Sequence, residues 1–261
     1  MADGAATNVL TVDVEEYYHG VEFGAALDRE ALTRLPSRVT AQTLRLLDLL
    51  DDHGAHGTFF TLGVVARHHP RLVRAIAERG HEIASHGWDH TPVFRLGADG
   101  FRADVRRAKS TLEGLIGRAV RGYRAPNYSI RRDTPWAFGI LVEEGHVYDS
   151  SVHPIVHDRY GAPDAPRFLH RVGAGRDHLW EVPVGTARVL GTNLPVGGGF
   201  FRLFPTALLR GAIASVNRRD GQPLVLYVHP WEFDPDQPRP PMPLGHRFRH
   251  YVGLASAGTK L

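Results

Sequence analysis

Short β-branched runs alternate along the chain with stretches whose apolar residues recur at helical spacing. Residues 8–14 (NVLTVDV) form the first such run, which ends in carboxylates and predicts a strand. From Arg38 to Asp52, Val39, Leu44, Leu46, Leu47, Leu49 and Leu50 trace one face of a helix, and Gly54 after it suits a left-handed cap. A second strand is predicted over 57–62 (GTFFTL), a helix from Pro70 through Glu78 closed by Gly80, and a third strand over 81–85 (HEIAS). The same reading continues with a helix over Asp99–Leu115, a strand over Val120–Arg124, a helix over Asp133–Glu144 and a strand-like Val147-Tyr148. Strands over Leu179–Val184 and Leu224–Val228 and a helix over Pro205–Asn217 complete the series. Such alternation predicts a parallel α/β architecture. Two stretches interrupt it, Tyr160–Asp177 and Gly185–Phe204, the latter with Gly197-Gly198-Gly199, and they read as loop insertions over one barrel end. Asp234–Gly245 holds five prolines in twelve residues and predicts an extended wrap, and Ala255–Leu261 reads as a tail or a truncation.

Composition narrows the chemistry. A length of 261 residues suits one α/β barrel, so a single domain over 1–261 is expected. Hydrophobic residues at 43% and charged residues at 23% exclude disordered and fibrous classes. With no cysteine, disulfides, thiolate metal sites and cysteine nucleophiles are all excluded, and any metal must be held by His, Asp or Glu. The net charge is +3, only Lys109 and Lys260 among the 31 basic residues are lysine, and no basic run exists, so no nucleic-acid partner is expected. Residues 1–8 lack a basic region and an apolar core, and no apolar stretch is long enough to span a bilayer. The expectation is therefore a chain with no intrinsic membrane segment, cytoplasmic as encoded.

The polar residues that interrupt apolar runs fall at predicted strand ends. Asp13 and Glu15 end the first strand, His86 and His90 follow the third, Arg124 and Asp149 end later ones, and His229 ends the last. In a parallel barrel these ends share one face, where barrel active sites are built. On a helical turn His86 and His90, four apart, would project to one side and chelate one ion. Among 16 histidines an accidental pair is expected, so the spacing needs a nearby carboxylate to mean more. Asp13 and Glu15 supply it: two apart on a strand, they share a face, while Val14 points away. One of them can ligate a metal and the other act as general base. Arg124 is a candidate to orient a carboxylate, and His229 is either a satisfied core histidine or the general acid for a leaving amine. Trp88, Trp231, Phe200 and Phe201 suit either sugar stacking or packing, His19 is a candidate cleft residue, and His68-His69 before Pro70 reads as structural.

In order, TVDVEEYYH (11–19), SHGWDH (85–90), RAPNYSI (124–130), YDSSVHP (148–154) and LYVHPWEFDP (226–235) resemble the polysaccharide deacetylase family with a NodB homology domain, carbohydrate esterase family 4. They are most similar to its branch associated with exosortase and exopolysaccharide loci. The resemblance implies a distorted (β/α) barrel of about seven parallel strands. It implies metal-dependent removal of N-acetyl groups from the amino sugars of a polysaccharide or oligosaccharide. Asp13 would be the general base, Arg124 its orienting partner, His229 the general acid, and Asp149 a residue that tunes a catalytic partner. Asn127 would support the oxyanion through its backbone N–H, with Tyr128, Trp88 and Trp231 as further oxyanion or substrate-binding residues. His86 and His90 would bind a divalent metal, zinc first, with cobalt, nickel or manganese as alternatives. Two departures stand out. The family's usual second aspartate, a metal ligand, is Val14 here, which shifts the third ligand to Glu15 as in the D-x-[DE] variant. The usual Ser or Thr after the first histidine is Gly87, which removes a hydrogen bond. The rival readings are an allantoinase-like amidohydrolase on a small amide and an inactive carbohydrate-binding homologue.

Overall fold

The β-branched N-terminal run forms strand β1 (Val9–Val14), and its two faces have opposite character. Val12 and Val14 are fully buried against the helices, whereas Thr11 and Asp13 point to the other side of the sheet and meet a polar partner there. The structure, a computed structural model, describes residues 7–24, 27, 29–157, 160–174 and 177–261. Of the predicted polar N-terminal stretch only positions 7 and 8 fall within it, and positions 175 and 176 of the first insertion lie outside the described residues.

Further strands are β2 (Thr58–Thr61), β3 (Glu82–Ser85), β4 (Gly122–Tyr123), β5 (Tyr148–Asp149), β6 (His170–Ala174) and β7 (Asp177–Glu181). They are followed by β8 (Thr186–Val189), β9 (Thr192–Pro195) and β10 (Val225–Val228). One sheet runs in the order β10-β1-β2-β3-β4-β5-β7-β6. Every pairing is parallel except β6 with β7, so seven strands run in parallel as expected. The helices Val39–Asp52, Pro70–Glu78 and Thr206–Ser215 contribute Leu46, Leu47, Val73, Ile76 and Leu209 to the core that covers β1 and β10. A second cluster packs Phe101 and Val105 of the helix Val93–Ile116 and Ile140 and Leu141 of Trp136–Glu143 against Tyr123 and Leu179.

The sheet curls until the segment after β7 reaches β10, where Gly185 N–H donates to the Val225 carbonyl at 2.8 Å. This contact needs glycine: a Cβ at 185 would lie 2.6 Å from that carbonyl oxygen and 2.7 Å from Leu224 Cγ.

The regions read as loops and tail are built. Within Tyr160–Asp177, β6 pairs antiparallel with β7 and covers the sheet edge. Gly185–Phe204 holds the β8–β9 hairpin and a helix over Gly198–Leu203. These strands are short and pair with near neighbours in sequence, Ala174 with Asp177 and Val189 with Thr192, so each run holds too few residues for its periodicity to register. The predicted tail also packs: Ala257 is fully buried, and Lys260 Nζ donates to the Phe204 carbonyl at 2.9 Å. The helix predicted from Asp99 begins at Val93, with a break at Gly97 (φ 67°, ψ 177°) that separates its first turn from the amphipathic part. Asp234–Gly245 turns at positions 235–236, runs without regular structure to 243 and gives its last two residues to the helix Leu244–Tyr251. Among the described residues no helix is long and apolar enough to cross a membrane.

Gly185→Ala forces the carbonyl of Val225 away from the backbone link at this seam. It is expected to cost about 1–3 kcal/mol and to lower Tm by roughly 3–10 °C. A thermal unfolding curve unchanged from the parent would show that the seam tolerates a Cβ.

Candidate active site

The C-terminal ends of β1, β3, β4 and β10 bring Asp13, Glu15, His86, His90, Arg124 and His229 to one face. Glu15, His86 and His90 each offer a ligand atom, and all three atoms lie within 4.8 Å of one another. Glu15 Oε2 is 2.7 Å from His90 Nε2 and 3.8 Å from His86 Nε2. This oxygen is buried yet has no proton donor in hydrogen-bond geometry, which leaves three lone pairs converging on one point. That donor set suits a divalent cation. His86 is already oriented for ligation, because its Nδ1–H donates to the Arg124 carbonyl at 2.8 Å and leaves Nε2 as the free lone pair.

The histidine pair does not lie on a helical turn. The chain leaves β3 in an irregular loop, with positive φ at Gly87 (75°) and at His90 (67°). It is this bend, rather than 3.6-residue periodicity, that turns both rings inward. Asp104, on the helix Val93–Ile116, anchors the loop by accepting the Trp88 N–H at 3.0 Å. A Cβ at Gly87 would sit 2.9 Å from Asp104 Oδ2, so the departure from Ser or Thr at this position has a steric counterpart. Burial raises the Asp104 carboxyl to about 7 despite the Trp88 N–H.

Burial alone would raise Glu15, but His90, His229 and His86 outweigh it and hold the carboxyl well below its ordinary range. Burial lowers His86 to about 4, with His90 adding to the effect against Asp13 and Glu15. His19 stacks on His90 at 5.8 Å and accepts the Glu16 N–H through Nδ1 at 3.1 Å, so it backs the pair.

Arg124 is fully buried. Its Nη1 donates to Asp13 Oδ1 at 2.7 Å and to Thr11 Oγ1 at 2.9 Å, Nη2 donates to Ser150 Oγ at 2.8 Å, and Nε to the Ser150 carbonyl at 3.1 Å. Asp13 Oδ2 stays toward the cavity, 3.9 Å from His229 Nε2. Asp149 is fully buried. Its carboxylate accepts the Ser151 hydroxyl at 2.6 Å and the Ser151 N–H at 3.0 Å, and Ser151 Oγ accepts the Ala125 N–H at 2.8 Å. It therefore braces the chain beside Arg124, and burial raises both Asp149 and its neighbour Glu181.

His229 faces Asp13 and Glu15 from the opposite wall, with its ring stacked on Trp231 at 5.1 Å. Trp231 Nε1 donates to Glu15 Oε1 at 3.2 Å. Two residues with no predicted role meet here: His229 Nδ1 lies 3.2 Å from Glu232 Oε2, and Glu232 Oε1 accepts Arg202 Nε at 2.7 Å. Burial opposes a charged His229, but Glu232, then Glu15 and Asp13, raise it to about 9. Glu232 is held at about 2 against burial by Arg202 and His229. The His-Pro-Trp-Glu spacing, a carboxylate three residues past a turn start, carries the signature of a capping box and could have revealed Glu232. Nothing local points to Arg202.

A cavity of about 460 Å³ takes in Asp13, Glu15, His86, His90, Asn127 and His229, with Tyr128, Tyr227, Phe200 and Trp231 as aromatic walls. That size accommodates a small ligand. Asn127 (φ 54°) and Tyr128 (φ 51°) both hold left-handed backbone, strain of the kind that collects at functional sites. Trp88 does not line the cavity, contrary to expectation: its ring covers Gly63 and lies 3.6 Å below the Arg107 guanidinium. Phe201 is buried in the core.

Residues 34–138 match the family model for polysaccharide deacetylase, and residues 150–261 match a domain of unknown function, DUF3473. The chain is 33% identical over 84 residues to a peptidoglycan-N-acetylglucosamine deacetylase of Bacillus cereus, covering 32% of this chain and 30% of that protein. It is 30% identical over 118 residues to a chitooligosaccharide deacetylase of Sinorhizobium fredii, covering 45% of this chain and 52% of that one. It thus spans about a third and about half of those two relatives. A crystal structure of a Mycobacterium smegmatis protein assigned to the polysaccharide deacetylases superposes with a TM-score of 0.62 at 25% identity, covering 99% of this chain and 87% of the other.

Zinc at about one hundred times its Kd is expected to stabilise the protein by about 2.7 kcal/mol. Glu15→Gln is expected to weaken zinc by more than about 100-fold, since outer-shell losses alone reach about 10–100-fold. Competition with a chromophoric chelator measures both, and equal affinity in the two proteins would remove Glu15 from the ligand set. A second expectation concerns Asp104. A carboxyl raised from 3.8 to about 7 on folding makes the folded state bind the extra proton, so its contribution falls as pH rises through that window. Between pH 4 and 8 the parent should lose on the order of 3 kcal/mol relative to Asp104→Asn. Parallel stability-against-pH curves from urea unfolding would contradict this.

Proposed function

We propose, for a chain that belongs to the polysaccharide deacetylase family of NodB-type carbohydrate esterases, that its reaction is hydrolysis of N-acetyl groups on the amino sugars of a polysaccharide or oligosaccharide. The observation that carries this reading is a carboxylate and an imidazole, Asp13 and His229, facing each other across 3.9 Å beside a Glu-His-His donor set in one cavity. The likeness to deacetylases of peptidoglycan N-acetylglucosamine and of chitooligosaccharides supports the same substrate class.

Glu15, His86 and His90 would hold the divalent cation, zinc by the balance of two imidazoles and one carboxylate, which supplies Lewis acidity toward the acetyl carbonyl and lowers the pKa of water. Asp13 is the base. Arg124 occupies its Oδ1, which fixes the carboxylate and leaves Oδ2 to take the proton from the attacking water. The water oxygen bonds to the acetyl carbon as the C–N bond breaks, and the Asn127 backbone N–H stabilises the carbonyl oxygen. Glu232 beside its ring favours the protonated form of His229, which gives its Nε2 proton to the departing nitrogen. Free amino sugar and acetate leave. Tyr128, Tyr227, Phe200 and Trp231 offer the faces on which pyranose rings stack.

Acetate release from N-acetylglucosamine oligomers is the direct test, expected to stop with chelator and return with zinc. Asp13→Asn should lose about 10²–10⁴-fold in kcat while its zinc content matches the parent. An active, zinc-loaded Asp13→Asn protein would sink the assignment of the base.

A further inference from the structure

We propose that Glu232 and Arg202 are positioning residues for His229, so that the C-terminal third of the chain sets the geometry of the proton donor; this rests on the reading of His229 as general acid. The buried carboxylate of Glu232 engages His229 twice through one oxygen. Oε2 accepts the His229 backbone N–H at 2.9 Å and lies 3.2 Å from ring Nδ1. Trp231 stacks on the imidazole, and His250 stacks on Trp231 in turn at 4.5 Å and 9°. With Nδ1 directed at a carboxylate, the proton available to the cavity is the one on Nε2, which faces Asp13 Oδ2 at 3.9 Å and Glu15 Oε1 at 3.8 Å.

Glu232 is itself held from behind. Arg202 donates through Nε to Glu232 Oε1 at 2.7 Å, and its remaining nitrogens are spent on backbone. Nη1 donates to the carbonyls of His250 at 2.8 Å and Val252 at 2.6 Å, and Nη2 to Arg249 at 3.1 Å. These carbonyls lie at the C-terminal end of the helix Leu244–Tyr251, where backbone acceptors lack helical partners. One guanidinium thus ties that helix end to the carboxylate on the imidazole. Arg202 and Glu232 are only 3% and 0% exposed, and a buried ion pair is a poor device for stability alone, because apolar residues of like volume do as well. Asp149 does not compete for the role, since its hydrogen bonds go to Ser151.

The test compares two leaving groups in one sample, which cancels any unfolded fraction. An amine needs a proton to depart, whereas 4-nitrophenolate does not. Glu232→Gln is expected to lower kcat on N-acetylglucosamine oligomers by about 100-fold, with KM and the rate on 4-nitrophenyl acetate within about twofold of the parent. Arg202→Lys, which keeps the charge and loses the planar fork, should fall in the same sense by a smaller factor. Equal losses on both substrates, or an unchanged amide rate, would overturn the positioning role. A parent that releases no acetate from the oligomers overturns the deacetylase reading and this proposal with it. Independently of any variant, ¹⁵N NMR of the parent should find neutral His229 protonated at Nδ1; the Nε2–H tautomer would refute the orientation.

Discussion

The site depends on one buried charge. Arg124 sits with no exposure to water, and such a cation persists only where every donor finds an acceptor. Thr11 and Asp13 from β1 and Ser150 after β5 supply those acceptors, so the guanidinium ties two separated strands of the sheet to β4. Its own carbonyl takes the proton of His86 Nδ1, so the same residue orients a candidate metal ligand through its backbone and the proposed base through its side chain. Breaking one partner of a buried pair leaves an uncompensated charge, at a cost of about 3–5 kcal/mol.

Around this charge the two matched regions of the chain contribute unlike parts. The histidine pair lies within residues 34–138, on the loop that follows β3, while Asp13 on β1 and Glu15 just after it precede that region. His229, Trp231 and Glu232 belong to residues 150–261. Pairing of β10 with β1 sets these groups side by side, since both strands run in the same direction and end on the same side. The Trp231 hydrogen bond to Glu15 spans the join. A carboxylate and an imidazole in one cavity thus come from opposite ends of the sequence, held at a fixed separation by backbone pairing rather than by contact between themselves.

The polar contacts divide into a rigid half and a half that is open to ligand. Arg124 and Asp149 are closed networks with their acceptors filled by neighbouring side chains and backbone. Glu15 Oε2 and the Tyr128 hydroxyl are buried without hydrogen-bond partners, and both belong to residues that line the cavity. Unsatisfied groups of this kind weaken a fold unless something else fills them.

Local pattern was enough for the strands over 8–14, 57–62, 81–85 and 224–228 and for the helices over 38–52 and 70–78, because each buries one face against a neighbour and its period records that face. It was also enough to pair Asp13 with Glu15, since a period of two decides which side chains share a side. It failed where position depends on partners far along the chain. The histidine pair turns inward on a bend with positive φ rather than on a helix, and Trp88 covers Gly63 outside the cavity. β6 and the β8–β9 hairpin formed where loops were expected for a different reason, since runs of four or five residues hold too little alternation to read. Sequence by itself thus determined the alternation of the main strands and helices, the acidic and histidine candidates and the chemistry open to a chain without cysteine. Tertiary structure alone decided that Arg202, thirty residues from Glu232, closes behind His229. The physical reason is that a buried charge is compensated by whichever group folding brings to it, and separation along the chain holds no record of that choice.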